Sequence, residues 1–88
     1  MVESKLREIL IKFINEYFVK ESGTVLDTDA SLIEEGILDS TGVIELVAFI
    51  EETFNIRVED EEIIPDNLDS INKLVHFIQP KLAKTEGN

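Results

Sequence analysis

The stretch GILDSTGVIELVAFIEETF, residues 36–54, decides the fold because its apolar residues recur every three or four positions after a polar pair. Such spacing is typical of one face of an α-helix. Asp39 and Ser40 stand where an N-cap is expected, since short polar side chains accept hydrogen bonds from the first N–H groups of a helix. We therefore predict a helix that begins near Ser40 and stops at Asn55. Its inward face comprises Val43, Leu46, Val47, Ile50 and Phe54.

Two further segments show the same helical periodicity. The first helix is expected to have Ser4 as its N-cap and Gly23 just past its end. The last helix is expected to begin after Asp69 or Ser70, and Pro80 should end or bend it, because proline removes a backbone donor from a helix interior. The apolar positions are Leu6, Ile9, Leu10, Phe13, Ile14 and Tyr17 in the first helix, and Ile71, Leu74, Val75, Ile78 and Leu82 in the last.

The remaining segments connect these helices. EDEEIIPDN, residues 59–67, predicts a single short turn of helix that Pro65 closes. Residues 23–39 form a long connection, and its apolar residues indicate that it packs over the bundle. The expected fold is all-α: a small bundle of three main helices plus one short helix, with a long ordered first loop. The apolar residues of the loop are Val25, Leu26, Leu32, Ile33, Ile37 and Leu38.

Length and composition limit the class of protein. The 88 residues predict one domain over residues 1–88, with an ordered core over residues 3–80 and a flexible tail at residues 83–88. The absence of cysteine excludes disulfides and thiolate metal sites. The first residues mix charges with apolar side chains, unlike a secretory signal, and no apolar run approaches the roughly 20 residues that span a bilayer. We expect a cytoplasmic protein with no membrane insertion.

The net charge of −11 is concentrated in the middle of the chain. Residues 27–69 contain fourteen acids and one base, Arg57, whereas the two ends are nearly balanced. Such a field repels nucleic acid and anionic lipid, so binding to a phosphate backbone is excluded as the main function. Basic protein surfaces are the expected partners. An acidic face that only keeps the protein soluble is the alternative.

Ser40 stands where the second helix is predicted to begin. Unpaired backbone N–H groups and the positive end of the helix dipole favour a bound or attached phosphate at such a position. A phosphodiester on the Ser40 hydroxyl would therefore be stabilised. The alternative is that Ser40 or Asp39 is only an N-cap.

A serine hydrolase is a weak alternative. Ser40 and Gly42 supply only the second half of a G-x-S-x-G motif, and no strand precedes them. The one histidine, His76, falls in the last helix among core positions, and we expect it at the surface or boundary of that helix and not as a ligand. These residues therefore do not predict a serine hydrolase.

A calcium loop is also suggested and then excluded. Asp27, Asp29 and Ser31 have the spacing of the first, third and fifth ligands of such a loop. Leu32 stands where the glycine is needed, and Leu38 stands where the bidentate glutamate is needed. We predict no metal site.

The run LIEEGILDSTGVIELVAFIEETFNIRVEDEEI, residues 32–63, resembles the prosthetic-group motif and recognition helix of the acyl carrier proteins and related carrier domains. The hallmark of that family is Gly-x-x-Asp-Ser, which here is Gly36 to Ser40. The resemblance implies that a phosphopantetheinyl transferase attaches 4′-phosphopantetheine from coenzyme A to Ser40, with the help of Asp39. The arm would supply a thiol that carries acyl or aminoacyl groups as thioesters to partner enzymes. The resemblance therefore implies that the chain itself has no catalytic residue and is not an enzyme.

The resemblance also implies a docking face on the second helix. In carriers of this family the outward residues contact basic surfaces of the transferase, of the acyl-loading ligase or acyltransferase, and of synthases or other acyl-using enzymes. We expect the chain to work as a monomer. The matching outward residues are Thr41, Ile44, Glu45, Ala48 and Glu52, with Glu51 flanking them.

The chain departs from the common fatty-acid carriers, which continue Asp-Ser-Leu followed by an acid, because it has Thr41 and Gly42 there. Gly42 costs roughly 1 kcal/mol against alanine in a helix and could leave room for a partner or for the arm. This departure favours a carrier in a specialised lipid or secondary-metabolite pathway, loaded by an adenylate-forming ligase, over a carrier for fatty acid biosynthesis.

Three questions stay open at this point. One is whether the chain is an aminoacyl or peptidyl carrier of a nonribosomal-type pathway. Another is whether it is an unmodified acidic interaction module. The third is whether the inward stripe lines a space for the acyl chain or forms a filled core, together with Ile63, Ile64, Ile71 and Val75.

Overall fold

The computed structural model describes residues 2–19 and 27–86, and within them it confirms the all-α bundle of three main helices and one short helix. No strand occurs in these two ranges. The helices are α1 (Glu3–Ile14), α2 (Ser40–Phe54), α3 (Pro65–Leu68) and α4 (Ile71–Glu86), with a π-helical turn at Asn15–Val19 and a 3₁₀ turn at Asp60–Glu62. In the described part of the chain, each helix is too short or too polar to cross a bilayer.

Helix α2 has the predicted boundaries. Asp39 is its N-cap, and the Asp39 Oδ1 atom accepts a hydrogen bond of 2.7 Å from the Gly42 N–H group. Asn55 ends the helix in the left-handed conformation, with φ of 53°, which asparagine tolerates better than most residues. Of the two candidate caps, Asp39 therefore fills the role, and Ser40 is the first helical residue.

Helix α1 begins earlier than predicted. Val2 stands at the N-cap position without a side-chain cap, and Ser4 lies inside the helix, so Ser4 as N-cap was wrong. Glu3 occupies the first turn, where a negative charge suits the positive end of the helix dipole. The predicted stop at Gly23 lies outside the described residues.

The core joins the inward faces of the three long helices. Val43 is only half-buried, but the rest of the predicted α2 stripe is buried. Phe13 of α1 stacks on Phe49 of α2 with ring centroids 3.7 Å apart, which ties these helices at the edge of the core. The residues with no exposed surface are Leu6, Leu10, Ile14, Leu46, Ile50, Ile71, Leu74, Val75 and Ile78.

Pro80 does not end α4, which continues to Glu86. Two contacts explain why the helix extends past the proline. Leu82 is buried in the core, and the Lys81 ammonium donates to the Glu62 carboxylate and to the Arg57 carbonyl at 2.9 and 3.0 Å. Helical structure therefore extends beyond residue 80, and the flexibility of residues 83–88 stays a prediction.

Pro65 does not close the short turn but begins α3 at its first position. A proline fits there because the first N–H group of a helix has no acceptor in its own helix. The preceding 3₁₀ turn is instead stabilised by a capping box, in which the Glu59 N–H group donates to the Glu62 carboxylate. This bond and Lys81 hold the pKa of Glu62 below its ordinary value.

The described part of the first loop packs on the bundle, as predicted. Leu32 and Leu38 are buried and Ile37 is half-buried, whereas Ile33 is exposed. Val25 and Leu26 lie outside the described residues. Gly36 turns the loop toward α2 with φ of 75°, in the left-handed region that favours glycine.

Replacing Gly36 with alanine should lower the free energy of unfolding by about 1–2 kcal/mol, because the left-handed conformation disfavours a Cβ atom. A Cβ atom on Gly36 would meet no other atom within 4 Å, so the loss would come from the backbone conformation and not from crowding. Urea denaturation followed by circular dichroism measures it. Gly36→Asn is the control, since asparagine tolerates this conformation and should lose less. Equal stability of Gly36→Ala and the wild type would contradict the role given to Gly36.

Candidate functional site

Ser40 is exposed at the first position of α2. The residues before it hold it in place, because the N–H groups of Ile37 and Leu38 both donate to the Leu32 carbonyl, at 2.9 and 3.1 Å. Leu38 is buried, two residues before the serine. The loop therefore anchors an apolar side chain in the core and presents the Ser40 hydroxyl to solvent.

The N-terminus of α2 suits an attached phosphate. Asp39 takes two of the first amide groups, since its carboxylate accepts from the Gly42 N–H and its carbonyl accepts from the Val43 N–H. The N–H groups of Ser40 and Thr41 have no acceptor within the helix, as is general for a first turn. These donors and the helix dipole would stabilise a phosphodiester on Ser40. The hydroxyl itself is available because Asp39, not Ser40, caps the helix.

Gly42 is buried, and the room beside it is filled by the chain itself. A Cβ atom at this position would lie 3.1 Å from Phe18 Cε1, 3.2 Å from Asp39 Oδ1 and 3.3 Å from Leu38 Cδ2. The expected space for a partner or for the arm is therefore used by Phe18 and by the capping carboxylate. The missing side chain lets the π-helical turn approach the start of α2.

An open groove of about 570 Å³ lies between the π-helical turn and the start of α2, and Asp39 and Thr41, the neighbours of Ser40, line it. Tyr17 and Glu45 face each other across it. Their hydrogen bond, followed by the negative charge of Glu45, raises the pKa of Tyr17. The sequence placed Tyr17 on the core face, but its side chain is 48% exposed. The groove is lined by Glu16, Tyr17, Phe18, Ile37, Asp39, Thr41, Gly42 and Glu45.

The residues predicted to form the docking face divide into two groups. Thr41, Ile44, Ala48 and Glu52 are exposed, and Ile44 stands out with 69% of its surface accessible. Glu45 and Glu51 are half-buried, and each already has a partner within the chain. Glu45 interacts with Tyr17, and the Val58 N–H group donates to Glu51 Oε2 at 3.0 Å.

A small apolar pocket of about 110 Å³ opens between the first loop, α2 and α3. Ile63 and Ile64, two of the four residues named for an acyl-chain space, line it together with Val43. Ile71 and Val75, the other two, are fully buried in the core. The inward stripe is thus mostly a filled core, and the pocket lies at its edge. The full lining is Ile33, Leu38, Val43, Ile63, Ile64, Pro65 and Leu68.

The structure gives no support to the two alternative sites, the serine hydrolase and the calcium loop. His76 is exposed on α4, at the helix surface as expected. Leu32 and Leu38, which interrupt the calcium pattern, are buried. Within residues 2–19 and 27–86, no group of three or more histidine and carboxylate side chains is placed to hold a metal ion.

A small acidic helical bundle that presents a serine at the start of an exposed helix is the arrangement of a carrier domain. The family model described as "Phosphopantetheine attachment site" matches residues 4–78 of the chain. The chain belongs to this family. It is a carrier protein that uses 4′-phosphopantetheine, and it is not itself an enzyme.

Individual relatives agree with the family. The chain is 31% identical over 74 residues to the D-alanyl carrier proteins of Streptococcus pyogenes serotype M5 (strain Manfredo) and serotype M49 (strain NZ131). Each alignment covers 84% of this chain and 91% of the relative. The crystal structure of an acyl carrier protein from Thermotoga maritima is also similar, with a TM-score of 0.73 and 32% identity, covering 94% of this chain and 93% of that one.

The Tyr17–Glu45 contact can be tested by titration. Tyr17 is the only tyrosine and the chain has no tryptophan, so ultraviolet absorbance of the tyrosinate reports one group. Its pKa should lie above the ordinary value in the wild type and fall toward that value in Glu45→Gln, because the mutation removes the negative charge and leaves only a neutral, weaker acceptor for the tyrosine hydroxyl. Glu16→Gln, at another acid of the groove, is the control and should change the pKa less. If Glu45→Gln leaves the titration unchanged, Tyr17 does not contact Glu45.

Proposed function

We propose that Ser40 is the residue to which the 4′-phosphopantetheine arm is attached. The observation that carries this proposal is the division of roles at the start of α2, where Asp39 caps the helix and Ser40 is exposed beside it. A serine that capped the helix would have its hydroxyl engaged. Here Ser40 is exposed at the first helical position, and its hydroxyl can reach a partner enzyme.

The modification is a substitution at phosphorus in the active site of a phosphopantetheinyl transferase. The Ser40 Oγ atom bonds to the phosphorus that carries the pantetheine of coenzyme A, while the hydroxyl proton passes to a base of the transferase. The bond from that phosphorus to the bridging oxygen breaks, and adenosine 3′,5′-bisphosphate leaves. Asp39 keeps the serine at the helix end through its cap, and it matches the acidic residue that assists the transferase in this family. The attached arm supplies a thiol that holds the cargo as a thioester.

The exposed residues of α2 support a docking role for this helix. Ile44 is an exposed apolar side chain one turn from Ser40, and Glu52 is an exposed acid two turns further along. A basic partner surface with an apolar contact would match both, and it would release the carrier readily after each transfer. Glu45 and Glu51 contribute negative charge to the same surface, although each also has a partner within the chain. We expect the chain to meet its partners as a monomer.

The size of the apolar pocket favours a small cargo. Its volume of about 110 Å³ is well below the roughly 300 Å³ at which ligand pockets usually begin. The core behind it is filled by Ile71 and Val75. An aminoacyl or short acyl group, which needs no apolar cavity, fits this better than a long fatty acyl chain, and the similarity to D-alanyl carrier proteins points the same way.

A carrier of small acyl or aminoacyl groups requires a separate loading enzyme. We infer an adenylate-forming ligase that activates the carboxylate of the cargo and passes it to the thiol of the arm. The pathway would then be a specialised one and not fatty acid biosynthesis. A cytoplasmic location agrees with the supply of coenzyme A and nucleotide that these two reactions require.

The attachment site is tested by intact mass after incubation with coenzyme A and a broad-specificity phosphopantetheinyl transferase. The wild type should gain the mass of one phosphopantetheinyl group, and Ser40→Ala should gain none, because the nucleophile is absent. Circular dichroism should be nearly unchanged in Ser40→Ala, since the cap belongs to Asp39. Thr41→Ala, which removes the neighbouring hydroxyl, is the control and should still be modified. A mass gain in Ser40→Ala would assign the arm to another residue.

The docking role is tested by charge reversal at Glu52. Glu52→Lys should reduce kcat/KM for phosphopantetheinyl transfer several-fold and weaken its dependence on salt, because a charge that steers a basic partner has been inverted. Glu8→Lys makes the same change at an exposed position of α1 and is the control. Equal kinetics of the two variants across a salt series would leave the acidic face with no role beyond solubility.

A further inference from the structure

Asp69 connects the turn between α3 and α4 to the first loop. Both of its carboxylate oxygens are used: Oδ2 accepts from the Ser31 hydroxyl at 2.6 Å, and Oδ1 accepts from the Ile33 N–H group at 2.9 Å. Its main-chain carbonyl accepts from the Leu32 N–H group at 2.8 Å. One residue thus holds three consecutive residues of the loop.

The contact continues from the loop to Ser40. The Leu32 carbonyl, on the residue that Asp69 holds, accepts from the N–H groups of Ile37 and Leu38. Leu38 is 3% exposed and directly precedes Asp39, the cap of α2. A short series of hydrogen bonds therefore runs from the Asp69 carbonyl through Leu32 to the residue next to the cap. The Asp69 carboxylate fixes Leu32 from both sides, through its bonds to Ser31 and Ile33.

We propose that Asp69 is a positioning residue for the modification of Ser40. This inference rests on the proposed attachment site. A transferase that docks on α2 must find the serine oxygen in line with the phosphorus it attacks, and small misplacements of reacting atoms are costly in rate. Asp69 fixes the loop that enters α2 and so fixes the start of the helix and the Ser40 oxygen. Its carboxylate acts through Ser31 and Ile33 and not by a bond to Ser40.

A second residue that bonds the same loop, Asn72, provides the control for Asp69. The Asn72 amide group donates to Thr28 Oγ1 at 3.2 Å, and its main-chain N–H donates to the Thr28 carbonyl at 3.0 Å. The Arg7 guanidinium donates to Asn72 Oδ1 at 3.0 and 3.1 Å. Asn72 therefore also bonds the loop by its side chain and main chain, but at a residue further from Ser40 along the chain.

The experiment measures steady-state phosphopantetheinyl transfer from coenzyme A to the full chain. Asp69→Ala should lower kcat about tenfold, because the serine is less often in line, and leave KM within about twofold, because the docking residues of α2 are intact. Asp69→Asn should recover most of kcat, since an amide oxygen still accepts from the Ile33 N–H group and its NH₂ group can donate to the Ser31 oxygen. Asn72→Ala should leave kcat nearly unchanged.

Amide hydrogen exchange supplies a second readout. In Asp69→Ala the Ile37 and Leu38 amides should exchange faster, while the amide of Ile50, inside α2, should keep its protection. If Asp69→Ala does not fold, Ser31→Ala replaces it, because it removes the hydroxyl bond alone and should lower kcat in the same direction by a smaller factor.

The possible contrary results distinguish failure of the positioning role from failure of the attachment site. Wild-type kcat in Asp69→Ala, or an equal fall of kcat in Asn72→Ala, would overturn the positioning role and leave the attachment site intact. A wild-type chain that gains no mass would overturn the attachment site and the positioning role together.

Discussion

The hydrogen bond from the Gly42 N–H group to the Asp39 carboxylate is the interaction on which the site depends. It starts α2 at Ser40 and makes Asp39 the cap, so the serine hydroxyl is not needed for the helix. Glycine at position 42 favours this bond, since a Cβ atom there would lie 3.2 Å from the capping oxygen, which is closer than most such contacts. The roughly 1 kcal/mol that glycine costs in a helix is offset by the cap and by the contact with Phe18.

The acidic character of the chain serves two purposes. Some carboxylates are structural because they accept hydrogen bonds from within the chain. Glu51 accepts from the Val58 N–H group, and Glu62 accepts from Lys81 and from the Glu59 N–H group. Asp69 accepts from the Ile33 N–H group of the first loop. Glu52 on α2 has an exposed side chain and is available to a partner. The number of acidic residues in the sequence therefore overstates the size of the docking surface. Carboxylates that stabilise loops and turns carry the same formal charge as those that contact partners.

Local patterns allowed much of the fold to be predicted from the sequence. The periodic stripe of α2, its stop at Asn55 and the helix-start position of Ser40 all depend on residues within a few positions of one another, and the structure confirms them. The prediction that Pro80 could end α4 failed because distant contacts outweigh a local preference. Pro80 would end an isolated helix, but the burial of Leu82 and the bonds of Lys81 extend α4 beyond it.

The parts of the site that the sequence did not reveal are pairs far apart along the chain. Tyr17 meets Glu45, and Asp69 meets Ser31, only after the helices have packed. No rule based on sequence spacing predicts contacts between residues so far apart along the chain. Gly42 was recognised as a departure from the family pattern, but its cause, the approach of Phe18, became visible only in the structure.

The central claim is that this carrier holds its arm on Ser40 and on no other hydroxyl. Trypsin cleaves after Lys20 and Arg57, and no lysine or arginine lies between them, so one peptide contains Ser31, Ser40 and Thr41 together. Fragmentation mass spectrometry of that peptide, taken from wild-type protein treated with coenzyme A and a transferase, locates the modified residue directly. The account predicts the phosphopantetheinyl mass on Ser40 alone. Its presence on any other residue of the peptide, or its absence from the peptide in a modified protein, would contradict it.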